Sequence, residues 1–228
     1  VTETLTDIFR RSRAVLLDFD GPVCSIFAGL PAPLVAARLK QLLQDEGAEL
    51  PQDVAELDDP LKVLRRTAFF APSLVDKVEA AFIGYEIEAA GCAEITPGVR
   101  ELLDACAEVD RPVVIVSNNS GPAIEAFLGL VELKEQIAGV VGRPIGNPAE
   151  MKPHPRLVLR ACEMVNVSPG ETVLIGDSDF DMQAAANAGA LSIAYANAPG
   201  KEAKLIEAGA DAVTSSMQEL AQAVRTNW

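Results

Sequence analysis

A chain of 228 residues with 49 % hydrophobic and 23 % charged residues has room for one domain with an insertion, or for two small domains, around a sizeable core. Its formal net charge of −14 speaks against nucleic acid and anionic membrane surfaces as partners, since both need clustered Lys and Arg. A phosphorylated substrate stays open, because local charge and a metal outweigh the global sum.

The four cysteines, Cys24, Cys92, Cys106 and Cys162, are widely spaced with no CxxC pair. That pattern reads as reduced thiols in a cytoplasmic protein rather than a disulfide framework or zinc site. The stretch from Thr2 to Arg13 is polar without an apolar centre, so no signal peptide is expected, and no run reaches the length of a membrane helix.

In chain order, Ala14-Val15-Leu16-Leu17 is a short apolar run expected to form a buried strand, and Asp18-Phe19-Asp20-Gly21 follows it at once. Helix-period stripes then predict helices over Pro31–Glu46, Leu61–Phe70 and Ser73–Ala90, with an acidic loop from Ala48 to Asp59. No strand is expected between Gly21 and Ile95. From there the pattern changes. Thr96-Pro97-Gly98 reads as a helix N-cap with Pro at the first helical position. Strands are expected at Pro112–Val116, Gly139–Val141, Thr172–Ile175, Leu191–Tyr195 and Ala212–Thr214, with helices between all but the last two. Such alternation predicts an α/β fold with a doubly wound parallel sheet, interrupted by an all-helical insertion.

Ligands of doubly wound sheets bind beyond the carboxyl ends of the strands, and the polar clusters of this chain fall there. A turn at Gly21 can bring Asp18 and Asp20 to one ligand. Asp18 could then attack phosphorus, and Asp20 could protonate the leaving oxygen and later accept a proton from water. The same residues also build ordinary Asp-Gly turns. Ser117, with the neighbouring backbone N–H groups including that of Asn118, could hold a phosphate oxygen, although Ser-Asn after a strand is also a common turn. Lys152, set between Met151 and Pro153, could neutralise a carboxylate and a phosphoryl group, or simply be solvated. Asp177, Asp179 and Asp181 offer hard oxygen ligands that suit Mg²⁺, with Asp181 able to cap the next helix and Asp179 expected to face water. His154, the only histidine, reads as a loop or helix-start residue.

Taken in order, Asp-x-Asp-Gly, Ser-Asn, Lys-Pro and Gly-Asp-Ser-x-x-Asp resemble the haloacid dehalogenase superfamily from Ala14 to Gly189, and its phosphoglycolate phosphatase-like members in the last motif. The resemblance implies a Rossmann-like core over residues 1–22 and 95–228 and a helical cap over 23–94. It implies Asp18 as nucleophile, Asp20 as general acid/base, and Ser117, Asn118 and Lys152 around the phosphate. It further implies Mg²⁺ at Asp18, Asp20 (through its carbonyl), Asp177 and Asp181, the last often indirectly. A Mg²⁺-dependent phosphatase acting on a small phosphorylated metabolite is the expected function. A phosphomutase of the β-phosphoglucomutase type and a non-catalytic binding protein are the alternatives. Monomer and homodimer are both compatible with the sequence.

One position departs from the family: Pro22 stands where Thr is usual, which bears on rate and substrate range. Arg65, Arg66, Thr67, Phe69 and Phe70, with Lys62 behind them, are the expected sources of specificity.

Overall fold

The computed structural model describes residues 3–226. Six strands, β1 (Ala14–Leu17), β2 (Val113–Val116), β3 (Gly139–Val141), β4 (Thr172–Gly176), β5 (Leu191–Tyr195) and β6 (Ala212–Thr214), form one sheet in the order β3-β2-β1-β4-β5-β6. Every neighbouring pair is parallel, and Leu16 of β1 lies between Val114 and Leu174. The central strands β1 and β2 are apolar and buried throughout, because a parallel sheet covered on both faces leaves their sides no water.

Side chains alternate between the two faces. Val15, Leu17, Ile115 and Ile175 belong to the cluster that also holds side chains of α1 (Leu5–Arg11), α6 (Val99–Glu108), α7 (Gly121–Leu130) and α11 (Met217–Arg225). Leu16, Val114, Val116 and Leu174 pack on the opposite face against α8 (Arg156–Val165) and α9 (Asp179–Ala188). α10 (Lys201–Glu207) adds Leu205 beside Met182 and Ala194. The connections leave β1 toward β2 and β3, then return to β4 on its other side. The order of the strands therefore reverses between β1 and β4, and the crevice at their carboxyl ends is the natural ligand site.

Between Gly21 and Ile95 lie four helices, α2 (Ala32–Asp45), α3 (Gln52–Ala55), α4 (Pro60–Phe70) and α5 (Val75–Ala90), with a 3₁₀ turn at Pro72–Leu74. This region contains no strand; only isolated bridges join Cys24 to Asp20 and Ile95. The apolar stripes of the insertion (Val35, Leu39, Val63, Leu64, Val78, Phe82) continue into the same cluster as the first sheet face. Phe19 at the end of β1 meets Phe127 of α7 edge to face, with ring centroids 5.4 Å apart.

Two local expectations are corrected. Residues 48–59 are not all loop: Pro51 opens the short α3, and the Lys40 ammonium, 2.8 Å from the carbonyls of both Ala55 and Leu57, holds its carboxyl end. Thr96 does not cap α6, because its hydroxyl donates to the Gly21 carbonyl at 2.8 Å. Gly98, with φ of 88°, takes the cap position instead. The helices α1, α10 and α11 add to those read from the sequence. All four cysteines are free, and among the described residues no helix is long and apolar enough to cross a membrane.

Phe127 is fully buried where insertion and sheet share one core. Phe127→Ala should lower unfolding stability by about 3–5 kcal/mol, measured from the shift of the denaturant midpoint at constant slope.

Candidate active site

Asp18 leaves β1 with its N–H donating to the Ile175 carbonyl of β4, so the sheet itself fixes where its side chain starts. Its Oδ1 accepts from the Phe19 N–H at 2.7 Å and lies 2.9 Å from the Lys152 ammonium. The chain then turns sharply: the N–H groups of Val23 and Cys24 both donate to the Phe19 carbonyl, and Gly21 adopts φ of 100°. This turn carries Asp20 into the cavity lined by Asp18, with Asp20 Oδ1 held by the Ile26 N–H at 3.1 Å. Pro22 supplies no hydroxyl, and the one that braces the turn comes from Thr96.

Lys152 is buried yet charged. Its Nζ lies 2.9 Å from Asp18 Oδ1 and 2.5 Å from Asp181 Oδ1, and donates to the Val116 carbonyl at 2.9 Å. Burial pulls its pKa down, but the two carboxylates outweigh that and raise it. The Asn118 side chain grips its backbone, accepting from the Lys152 N–H at 2.8 Å and donating to its carbonyl at 3.2 Å. Asn118 thus acts through its side chain on Lys152.

Asp181 is fully committed. Its Oδ2 takes the N–H and hydroxyl of Ser178 while Ser178 caps α9, forming a reciprocal capping box. Any side chain at Gly176 would collide with the Asp181 carboxylate, so the close approach requires glycine there. Asp177 Oδ2 is bonded by Asn197 at 2.9 Å and Lys201 at 2.6 Å, two residues the motif reading did not include. Asp179 is half-buried and has no bond into the site among those described. His154 sits in the turn before α8, accepting on Nδ1 from the Arg156 N–H.

Oxygens of Asp18, Asp177 and Asp181 lie within 4.8 Å of one another. Burial raises the Asp18 pKa well above the usual carboxylate range, and the Asp181 charge adds to this against the pull of Lys152. Burial likewise raises Asp20 to about 6. The acids Asp18, Asp20, Asp177 and Asp181 have two ammonium groups among them, Lys152 and Lys201, which leaves an excess of acids over cations. A hard divalent cation would relieve it, and an all-oxygen donor set suits one.

The cavity has a volume of about 160 Å³ and is completed by Ser117, Asn119, Asp59, Leu61, Lys62, Arg65 and Phe180. Of the residues expected to set specificity, Arg65 and Lys62 line it, Arg66 pairs with Asp53, and Thr67 bonds back to the Val63 carbonyl. Arg65 stacks over Phe180 and donates to the Lys152 carbonyl at 2.5 Å. It forms no ion pair with a carboxylate among the described residues, and its Nε is buried without a partner. Phe69 is exposed and borders a larger neighbouring cavity of about 560 Å³, whose lining is mainly apolar.

A second buried cluster escaped the motif reading. Arg143, just past β3, pairs with Glu79 at 2.7 Å and with Glu86 at 2.9 Å, both on α5. All three are buried, and the guanidinium stacks on Phe82. Burial raises the Glu79 pKa against the opposing effect of Arg143. The available signal was the helix period: Glu79 and Glu86 fall on the face of α5 that carries Val75, Val78 and Phe82.

The model of the haloacid dehalogenase-like hydrolases matches residues 12–189, and the chain belongs to that family. It is 28 % identical over 198 residues to a phosphoglycolate phosphatase of Chromobacterium violaceum, covering 84 % of this chain and 81 % of that protein. A plasmid-encoded phosphoglycolate phosphatase of Cupriavidus necator is 28 % identical over 220 residues, covering 91 % and 90 %. Among solved structures, CbbY of Rhodobacter sphaeroides in complex with phosphate superposes with a TM-score of 0.66 at 19 % identity, covering 92 % of this chain and 96 % of that one.

At Gly21 a methyl group would lie 2.5 Å from Asp177 Cγ, and the backbone is left-handed. Gly21→Ala should therefore destabilise the protein by about 1–3 kcal/mol, read as a lower denaturant midpoint.

Proposed function

We propose that this protein is a Mg²⁺-dependent phosphatase that hydrolyses a small phosphate monoester through an aspartyl-phosphate on Asp18. The observation that carries the reading is the buried Lys152 ammonium bridging Asp18 and Asp181 on the wall of a cavity shared with Asp20, Ser117 and Asp177. A cation aimed at a carboxylate and at the space beside it is what phosphoryl transfer to that carboxylate requires.

Asp18 Oδ1 is engaged by Phe19 and Lys152, which leaves Oδ2 for the substrate side. A carboxylate oxygen of Asp18 attacks phosphorus, the ester P–O bond breaks, and protonated Asp20 gives its proton to the departing oxygen. Water then attacks the phosphorus of the aspartyl-phosphate, Asp20 takes a proton from it, and orthophosphate leaves with Asp18 regenerated. Raising Asp20 to about 6 suits both halves, since the group changes protonation near neutrality. Ser117, whose hydroxyl rests on Asn119 Oδ1 at 3.1 Å, can turn its proton to a phosphoryl oxygen. Lys152 neutralises nucleophile and phosphoryl group together. Mg²⁺, held by Asp18, Asp177 and the Asp20 carbonyl with Asp181 behind them, would offset phosphate charge that the acidic site otherwise repels.

Residues 23–94 are read as a cap over this centre, supplying Asp59, Leu61, Lys62 and Arg65 to the cavity. A volume of about 160 Å³ favours a substrate of a few heavy atoms over a sugar bisphosphate, being well below the ~300 Å³ at which drug-sized pockets begin. The Arg65 guanidinium, which lines the cavity without a carboxylate ion pair among the described residues, suits a second anion on the substrate, as in the phosphoglycolate that the named relatives act on. Four free cysteines are consistent with a cytoplasmic location.

Phosphate release from a panel of small phosphate monoesters should require Mg²⁺ and stop with EDTA, and Asp18→Asn should abolish it while leaving circular dichroism unchanged. Full activity in EDTA or in that variant would refute the mechanism. Arg65→Ala should raise KM for carboxylate-bearing esters about tenfold to a hundredfold, from loss of a charged hydrogen bond, with a smaller effect on neutral esters. Equal effects on both classes would remove Arg65 from substrate recognition.

A further inference from the structure

The Glu86 carboxylate accepts four hydrogen bonds, which uses its full capacity. Arg143 delivers two, Nη1 to Oε1 at 2.9 Å and Nη2 to Oε2 at 3.0 Å. The other two come from the loop after β2, Asn119 Nδ2 to Oε1 at 3.1 Å and the Ser120 N–H to Oε2 at 3.2 Å. Because an ionised carboxylate can only accept, Asn119 must turn its amide nitrogen to Glu86 and its oxygen to Ser117. The Ser117 hydroxyl then sits between Asn119 Oδ1 and the Asn119 N–H, at 3.1 and 3.2 Å.

Arg143 reaches the same loop directly. Its Nη1 donates to the Asn118 carbonyl at 2.8 Å and its N–H to the Asn119 carbonyl at 2.8 Å. Asn118 in turn holds Lys152 by both backbone groups. One buried guanidinium and one buried carboxylate thus stand behind both residues assigned to the phosphate, one branch ending at Ser117 and the other at Lys152.

We infer that Glu86 and Arg143 are positioning residues for phosphoryl transfer, fixing Ser117 and Lys152 from helix α5 of the insertion. The inference rests on the phosphatase reading above. As a stabilising device alone the cluster is poor. Buried charges lose their hydration, an apolar core of the same shape commonly does as well, and Glu79 Oε2 is buried without any partner. Fixed geometry at the loop is the gain that sets this arrangement apart from such a core. It also makes α5 mechanically part of the catalytic loop, although the chain places it in the insertion.

The test compares wild type with Glu86→Gln, which keeps the shape but turns one doubly accepting oxygen into a donor nitrogen, and with Arg143→Lys, which keeps the charge but loses the fork. The readouts are kcat, KM, inhibition by orthovanadate and amide hydrogen exchange over residues 117–120. Folded variants should lose about tenfold or more in kcat, since small misplacements of reacting groups are costly. Vanadate inhibition should weaken by a similar factor with KM nearly unchanged, and exchange of the loop should quicken. Should both variants fail to fold, Asn119→Ala cuts the link to Ser117 while sparing the Glu86–Arg143 pair, and the same changes are expected. Variants that melt earlier but keep wild-type kcat, vanadate inhibition and exchange would overturn the inference. Wild-type protein that releases no phosphate would instead overturn the functional reading, and the exchange rates alone would then decide whether the cluster fixes the loop.

Discussion

A lysine ammonium sealed from water must have carboxylates beside it, and Lys152 has two. That single constraint orders the rest of the site. Asp18 must leave the end of β1 toward it, Asp181 must reach it from the first turn of α9, and β4 must end in a glycine so that Asp181 can come close. Neither acid can be removed without leaving the other ion under-compensated in a medium where that is expensive. The ammonium is raised in pKa by the same acids whose charge it moderates, so Lys152 stays charged although it is sealed from water.

The sheet explains why these groups meet although they lie far apart in sequence. β1 and β4 are neighbours, and the chain reverses its direction of travel across the sheet between them. Asp18 and Asp177 follow adjacent strands, Ser117 follows β2 on the other side of β1, and Lys152 arrives from the loop before α8. The insertion closes the remaining side. Its α4 brings Arg65 to the Lys152 carbonyl, and its α5 brings Glu86 to the loop after β2. On the proposed reading, substrate selection and phosphate positioning fall to different helices of the same insertion.

Much of this was legible in the sequence, for a physical reason. Strands buried on both faces are continuous apolar runs, and a polar residue directly after such a run has few roles other than turning or binding. Asp18, Ser117 and Asp177 announce themselves in that way. Asn197 and Lys201 do not, because a lysine at a helix start reads as solvated surface until Asp177 is seen beside it. Glu79, Glu86 and Arg143 were hidden for a different reason. Acidic residues on a helix are ordinarily its wet face, and their partner lies 57 and 64 residues further along the chain. Thr96 was misread because a hydroxyl before a helix usually serves that helix, whereas here the Gly21 carbonyl claims it.

The claim on which the account turns is that Asp18 carries the phosphoryl group. The protein would be mixed with Mg²⁺ and its preferred ester, quenched in acid within the first turnover, digested, and mapped by mass spectrometry. The account predicts a hydroxylamine-labile phosphoryl adduct on the peptide containing Asp18, absent from Asp18→Asn. Turnover without that adduct, or an adduct on another residue that survives in Asp18→Asn, would contradict it.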